Sequence, residues 1–329
     1  MSITTQSCNL MLIAHEEANK KNDHSKKKNM AENRPYTSSD LNLGDYESDY
    51  TVQSNPLGVG GYGVVFEVRE NFGDSRRLVL KVAKEKTTQR ERRQTFSGKE
   101  YLSIADMESQ ILTKLQERKT HPAIVRLQSS FKAFLCGEKV SCLVLEFCHD
   151  GDLESGIADG CHRQYIKQIT ISMVSALGWC EENGVLHLDV KPANILIKRE
   201  SRNALSFKLS DFGLGHIVMD RDRLSSQVGG TPKYTSPELV NGDTQSATSK
   251  SDIWSLGVTL RAVVFQGNKV DIFKLSTRPG FFDIDYTAFS DISLDKSVAE
   301  AINSMLKYIP DHRPLALQLM KSLEVLISC

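Results

Sequence analysis

HLDVKPAN at residues 187–194, the apolar run ILI at 195–197 and SDFG at 210–213 form the stretch that decides how this chain is read. Asp189 is placed to accept a proton from an attacking hydroxyl, or to orient it. Lys191, two residues on, brings a positive charge to the same point, and Asn194 adds a neutral oxygen of the kind hard cations bind. Asp211 supplies a carboxylate, with Gly213 giving the backbone freedom to aim it. Each residue alone fits an ordinary loop, whereas their joint order and spacing point to one site.

Upstream, Lys81 lies in LVLKVAK at 78–84, where alternation puts Val79, Lys81 and Ala83 on one face and Leu78, Leu80 and Val82 on the other. A lysine inside an apolar strand is costly unless paired; the alternative is a solvent-facing lysine on a half-exposed sheet. In the helical segment that follows, Ile104, Ile111, Leu112 and Leu115 recur at three- and four-residue spacing. Glu108 falls on that stripe and offers the counter-charge, with Glu100, two turns earlier, as the second candidate. Gly58, Gly60 and Gly63 in LGVGGYGVVFEV at 57–68 lie between two β-type runs. Glycine there lets backbone N–H groups approach phosphate oxygens closely. A dinucleotide-binding loop of similar pattern opens a helix, which the strand-like VVFEV argues against, so the segment reads as a β-hairpin lid over a nucleotide.

The 329 residues carry 41 basic and 41 acidic side chains, and 40% of them are hydrophobic, enough for one substantial two-lobed unit or two small domains. The neutral balance gives no reason to expect direct nucleic acid binding or attraction to an anionic membrane. Seven cysteines form no CxxC pair and no His-interleaved spacing, so reduced thiols in a cytoplasmic or nuclear protein are expected. The patch Leu10 to Ala14 is too short for a signal peptide core, and no run approaches membrane-spanning length, so no membrane insertion is expected. Residues 1–50, rich in polar side chains without apolar periodicity, read as a disordered tail. The basic cluster Lys20, Lys21, Lys26, Lys27, Lys28 reads as a solvated charge run, with nuclear import as the alternative.

On these motifs the chain resembles the eukaryotic protein kinase superfamily, serine/threonine type, over about residues 51 to 325. The resemblance implies an α+β, bilobal protein kinase fold, with a mainly antiparallel β N-lobe at 51–147 and a mainly helical C-lobe at 148–329. It implies ATP as co-substrate, Mg2+ (or Mn2+) held by Asn194 and Asp211, and protein substrates whose Ser or Thr hydroxyl is phosphorylated in intracellular signalling or cell-cycle control. In that frame Asp189 and Lys191 are catalytic, and Lys81, paired to Glu108, holds the α- and β-phosphates. Gly58, Gly60 and Gly63 cover the phosphates, while Leu57, Val65, Val79 and Leu196 sandwich the adenine. Leu145 looks like the gatekeeper, with Glu146 and Cys148 as the hinge. GTPKYTSPE at 230–238 resembles a peptide-accepting loop, with Thr231 near Asp189 and Glu238 paired to Arg313 of PDHRP. Asp252 in SDIWSLG resembles the buried aspartate that supports the catalytic loop. Asp150 and Asp152 favour a basic residue upstream of the phosphoacceptor, or are solvated loop charges. The catalytic loop is also similar over a short match to the Mos and Wee/Myt branches.

Leu188 departs from the family pattern, since an Arg there pairs with an activation-loop phosphate in many relatives and Leu cannot. Ser225 and Ser226 are the candidate phosphosites, and transfer is expected not to depend on a phosphate bound at Leu188. The competing reading is a pseudokinase or scaffold that binds nucleotide without catalysis; a small-molecule kinase is disfavoured by the GTPKYTSPE loop.

Overall fold

Alternating burial builds the first half of the molecule. The computed structural model describes residues 35–60, 63–84, 93–94, 101–202, 204–218, 230–243, 247–266 and 295–324. After the short strand β1 (Leu41–Asn42) come β2 (Tyr50–Gly60), β3 (Gly63–Glu70) and β4 (Arg77–Lys84). Val64, Phe66, Val68, Leu78, Leu80 and Val82 point to the core face, all 5% exposed or less, while Val65, Val79 and Lys81 stay partly open on the other face. This is the period-two reading of the sequence realised in a half-buried sheet. The brief pair β5 (Arg93–Gln94) and β6 (Tyr101–Leu102) precedes helix α1 (Ile104–Gln116). α1 starts where Ser103 caps it by accepting the Asp106 N–H at 3.1 Å. Strands β7 (Leu127–Leu135) and β8 (Glu138–Glu146) complete an antiparallel six-stranded sheet in the order β1-β7-β8-β4-β3-β2.

Helices dominate the second half. α2 (Ile166–Glu182) buries Ile166, Ile169, Met173, Val174, Leu177 and Cys180, a stripe at helical spacing. The strand pair β9 (Val185–Leu186) with β12 (His216–Ile217) and the hairpin β10 (Ile195–Ser201) with β11 (Ala204–Leu209) carry the segments on either side of the catalytic loop. The short α3 (Pro237–Val240) is followed by α4 (Ser249–Val264), which runs through the core and begins at a Thr248–Ser251 capping box. α5 (Lys296–Met305) packs beside it, and α6 (Ala316–Glu324) packs against α2 and α5. This is the bilobal α+β kinase fold that the sequence implied.

The stretch up to residue 50, expected to be disordered, departs from that reading from Ser38 onward. Leu41 and Asn42 pair with Leu135 and Phe134 on the edge of β7, and Asp40 O accepts the Cys136 N–H at 2.7 Å. Leu43 is buried, and the Tyr46 ring stacks on Phe131 at 4.0 Å between centroids. Two leucines and two tyrosines give no periodicity to read, because the apolar surface they cover belongs to a strand far away in sequence. Residues 1–34 lie outside the described residues, and so does the basic cluster.

Candidate active site

Lys81 projects from the open face of β4 and meets the first carboxylate of the site. Its Nζ donates to Glu108 Oε2 at 2.6 Å and to Asp211 Oδ1 at 2.9 Å. Glu108 is fully buried on α1, so of the two candidate partners it is the one seen; Glu100 lies outside the described residues. Burial pushes the Lys81 ammonium down, but the two carboxylates outweigh it and hold its pKa above the ordinary lysine value. Burial, only partly offset by Lys81, raises Glu108 above the usual carboxylate range. For Asp211 burial acts in the same direction, yet the charge and hydrogen bond of Lys81 win and lower it.

The catalytic loop is held from beneath. Asp252, buried near the start of α4, accepts the His187 N–H on Oδ2 and the Leu188 N–H on Oδ1, both at 2.7 Å. Leu188 thereby keeps a left-handed conformation, φ 62°, which a branched side chain adopts only when its surroundings enforce it. The Asp189 N–H donates to His187 Nδ1 at 3.2 Å, which assigns the ring proton to Nε2, and Nε2 donates to Ser210 O at 2.9 Å. The His187 ring also meets the edge of buried Phe212, tying the loop to the DFG segment.

Around Asp189 the groups converge. Oδ1 accepts the Thr231 N–H at 2.9 Å and the Thr231 hydroxyl at 2.7 Å. Oδ2 accepts Lys191 Nζ at 2.7 Å, and the same Nζ reaches Thr231 Oγ1 at 2.8 Å. Asn194 Nδ2 donates to Asp189 O at 2.8 Å and to its Oδ2 at 3.1 Å, which turns the amide oxygen the other way. A cavity lined by Lys81, Asp189, Lys191, Asp211, Gly230 and Thr231 opens onto these atoms. Asn194 Oδ1 and the Asp211 carboxylate offer oxygen donors only, the set that suits Mg2+ or Mn2+, whose remaining positions are ordinarily filled by phosphate oxygens and water.

Two glycines act differently from their sequence reading. A Cβ on Gly63 would fall 2.0 Å from Val82 O, so this glycine is needed for the close approach of β4, whereas the space around Gly58 is open to a ligand. Gly60 pairs with Gly63 across the hairpin. At the other end of the site, a Cβ on Gly213 would fall 2.4 Å from Ile104 Cγ2. The DFG glycine thus admits α1, and Asp211 itself takes the left-handed conformation, φ 60°, that aims the carboxylate.

The residues that the resemblance places around adenine lie on named strands, and two of them stand opposite other site residues in the sheet. Val65 stands opposite Lys81, and Val79 opposite Leu145; Leu57 is 54% exposed on β2, and Leu196 is partly open on β10. In the segment that the resemblance names as the hinge, Cys148 is half-buried, and burial pushes its thiol up to about 12. The Glu146 N–H donates to Arg126 O at 2.9 Å. Its carboxylate accepts Lys198 Nζ at 3.0 Å and lies 2.9 Å from Lys208 Nζ. Sequence reasoning missed both lysines; the signal was there in Lys208, a lysine between Phe207 and Leu209 in an otherwise apolar strand end. Asp150 is paired to Arg199 at 2.9 Å, and Asp152 Oδ1 accepts the Ser155 N–H at 2.9 Å. Glu238 and Arg313 form a bidentate pair with both contacts at 2.8 Å. Ser225 and Ser226 lie outside the described residues.

Comparison with known proteins agrees with this geometry. The model of the protein kinase domain family matches residues 51–323. The chain is 29% identical over 269 residues to the rice (Oryza sativa subsp. japonica) serine/threonine-protein kinase Nek3, covering 80% of this chain and 42% of that protein. It is 29% identical over 272 residues to calcium-dependent protein kinase 5 of Plasmodium berghei (strain Anka), 80% of this chain and 44% of that one. With human serine/threonine-protein kinase Nek11 the figures are 29% over 285 residues, 83% and 40%. The fold is that of a bilobal α+β domain, and the chain belongs to the protein kinase domain family. It spans about half the length, or less, of these relatives.

Proposed function

We propose that this chain is an active serine/threonine protein kinase that transfers the γ-phosphate of ATP to Ser or Thr hydroxyls of protein substrates. The observation that carries this reading is the arrangement at Asp189, whose two carboxylate oxygens are held by Thr231 and Lys191 beside an open cavity. Asp189 orients the acceptor hydroxyl and takes its proton as the oxygen attacks the γ-phosphorus; the bond to the β–γ bridging oxygen breaks and ADP leaves. Lys191 offsets charge on the transferred group, and Lys81, fixed by Glu108, holds the α- and β-phosphates. Asn194 and Asp211 would hold Mg2+, which would supply charge neutralisation on the phosphates. Thr231 completes the pocket for a small aliphatic hydroxyl.

Recombinant chain with labelled ATP, Mg2+ and a mixed Ser/Thr peptide substrate tests the reading. Asp189→Asn is expected to lower transfer by about 10²- to 10⁴-fold, the range for a lost general base. Equal incorporation by wild type and variant would sink the catalytic role. ATP binding with no transfer by either protein would favour the pseudokinase alternative.

Activity without a phosphate at the loop belongs to the same proposal. Leu188 is 6% exposed and carries no charge, so an Arg–phosphate pair at this position is unavailable to the protein. Ser225→Ala/Ser226→Ala is expected to keep most of the transfer rate; loss of nearly all of it would overturn the idea. A cytoplasmic or nuclear setting and a role in signalling or cell-cycle control complete the proposal. Five free thiols among the described residues support a reducing compartment, and imaging of the tagged chain tests it.

A further inference from the structure

The loop beside Asp189 ends in an exposed cation. The Tyr234 N–H donates to Thr231 O at 2.8 Å, closing a four-residue turn with Pro232 and Lys233 at its centre. Proline suits the first central position, and Lys233 has no positive φ, as a type I turn requires. Contacts to two other segments and one within the loop fix this turn. Thr231 is bound to Asp189 through its N–H and hydroxyl, Thr235 Oγ1 donates to Thr231 O at 3.0 Å, and Tyr234 is buried with its hydroxyl on Glu154. Pro232 and Lys233 are therefore the exposed tip of a rigid turn, not a mobile loop end.

The charges of the catalytic loop and of the segment 150–154 differ in how far they are already paired. Lys191 is committed to Asp189 and Thr231, Asp150 to Arg199, Asp152 to the Ser155 N–H, and Glu154 to Tyr234. Lys233 makes no ion pair among the described residues; its Nζ rests 5.3 Å from the Tyr234 ring centroid. In a four-residue turn its Cα lies within about 7 Å of Thr231. A peptide advances about 3.3–3.6 Å per extended residue, so with an acceptor hydroxyl at Asp189 the neighbours one or two residues away fall within reach of the lysine's four-carbon stem.

We propose that Lys233 selects protein substrates whose phosphoacceptor is flanked, one or two residues away, by an anionic side chain, a carboxylate or a phosphorylated residue. This rests on the kinase reading and names the substrate class of the same site. It departs from the preference for basic residues that Asp150 and Asp152 suggest in the sequence, where Asp150 is paired to Arg199 and Asp152 accepts the Ser155 N–H.

The test uses the full chain with Mg-ATP and matched serine peptides carrying Asp, Asn, phosphoserine or Lys beside the acceptor. The Asp peptide is expected to exceed its Asn isostere by about two- to fivefold in kcat/KM, the range of an exposed ion pair, and to lose that advantage at high salt. The phosphoserine arm, with its larger charge, separates a primed site from an acidic one. Lys233→Gln is expected to abolish the discrimination, and Lys233→Glu to transfer it to the Lys peptide. A structural role through the Tyr234 ring would lower all peptides together and produce no such exchange. Equal use of Asp and Asn by the wild type, or discrimination that survives in Lys233→Gln, overturns the inference while leaving the kinase reading intact. Failure of the folded wild type to phosphorylate any peptide overturns both.

Discussion

Replacing Arg313 by Met is expected to cost about 3–5 kcal/mol of folding stability, the size of effect seen when one partner of a buried ion pair is removed. All five donors of this guanidinium are used. Nη1 and Nη2 reach the two oxygens of Glu238, Nε donates to Lys307 O at 2.7 Å, Nη1 to Lys250 O at 3.0 Å and Nη2 to Tyr308 O at 2.9 Å. The Arg313 side chain is 0% exposed and that of Glu238 7%. Met would leave a buried carboxylate with no cation, though the Ser251 hydroxyl still donates to it, and three carbonyls without this donor, against a total stability of about 5–15 kcal/mol for a domain. Arg313→Lys is expected to lose most of the same energy, because an ammonium cannot span the fork.

The pH dependence follows from Glu238. Burial pushes its carboxyl up, but Arg313 more than compensates and holds it below the usual 4.5. A carboxylate depressed in the folded state contributes stability above about pH 4.5 and loses it as pH falls through the folded value. In Arg313→Met the unpaired carboxyl protonates readily, so the gap between wild type and variant should be widest at neutral pH and shrink in acid. Urea unfolding midpoints across pH measure both effects. A gap independent of pH would show that the carboxylate is not the source of the penalty.

Lys81→Met is expected to lower phosphate transfer by about 10²- to 10³-fold, the effect of deleting one preorganised charge. It should also destabilise the protein by about 3 kcal/mol, since Glu108 is left buried without its cation. The two losses separate in the double variant Lys81→Met/Glu108→Leu. Two apolar side chains can replace a buried ion pair at little cost, so stability should return while transfer stays lost. Recovery of transfer along with stability would mean that Lys81 only supports the fold.

Much of this site is legible along the chain because local patterns carry it. The alternation around Lys81 and the helical stripe through Glu108 each mark a charge in an apolar setting, and a charge there needs a partner. HLDVKPAN and SDFG carry their chemistry in residue identity and spacing. Less legible are the roles that depend on what arrives from elsewhere. Gly63 and Gly213 look alike as permissive backbone, yet each is required by an atom of another element, Val82 O and Ile104 Cγ2. The segment Ser38–Tyr50 lacks any periodic signal because its order comes from covering Phe131 and pairing with β7. Asp150 reads as an open carboxylate until Arg199 is seen to pair with it.

The sequence by itself determined the family, the lobes and the identity of the charged groups, because periodicity and motif spacing are local properties of the chain. Only the tertiary structure decided which charges are spent and which are free. It paired Lys81 with Glu108 and Asp211, filled Asp189 with Thr231 and Lys191, and left Lys233 exposed at the tip of its turn. The physical reason is that a charge is neutralised by whatever lies within a few ångströms of it, and the residues that do so here come from strands, helices and loops far apart in sequence.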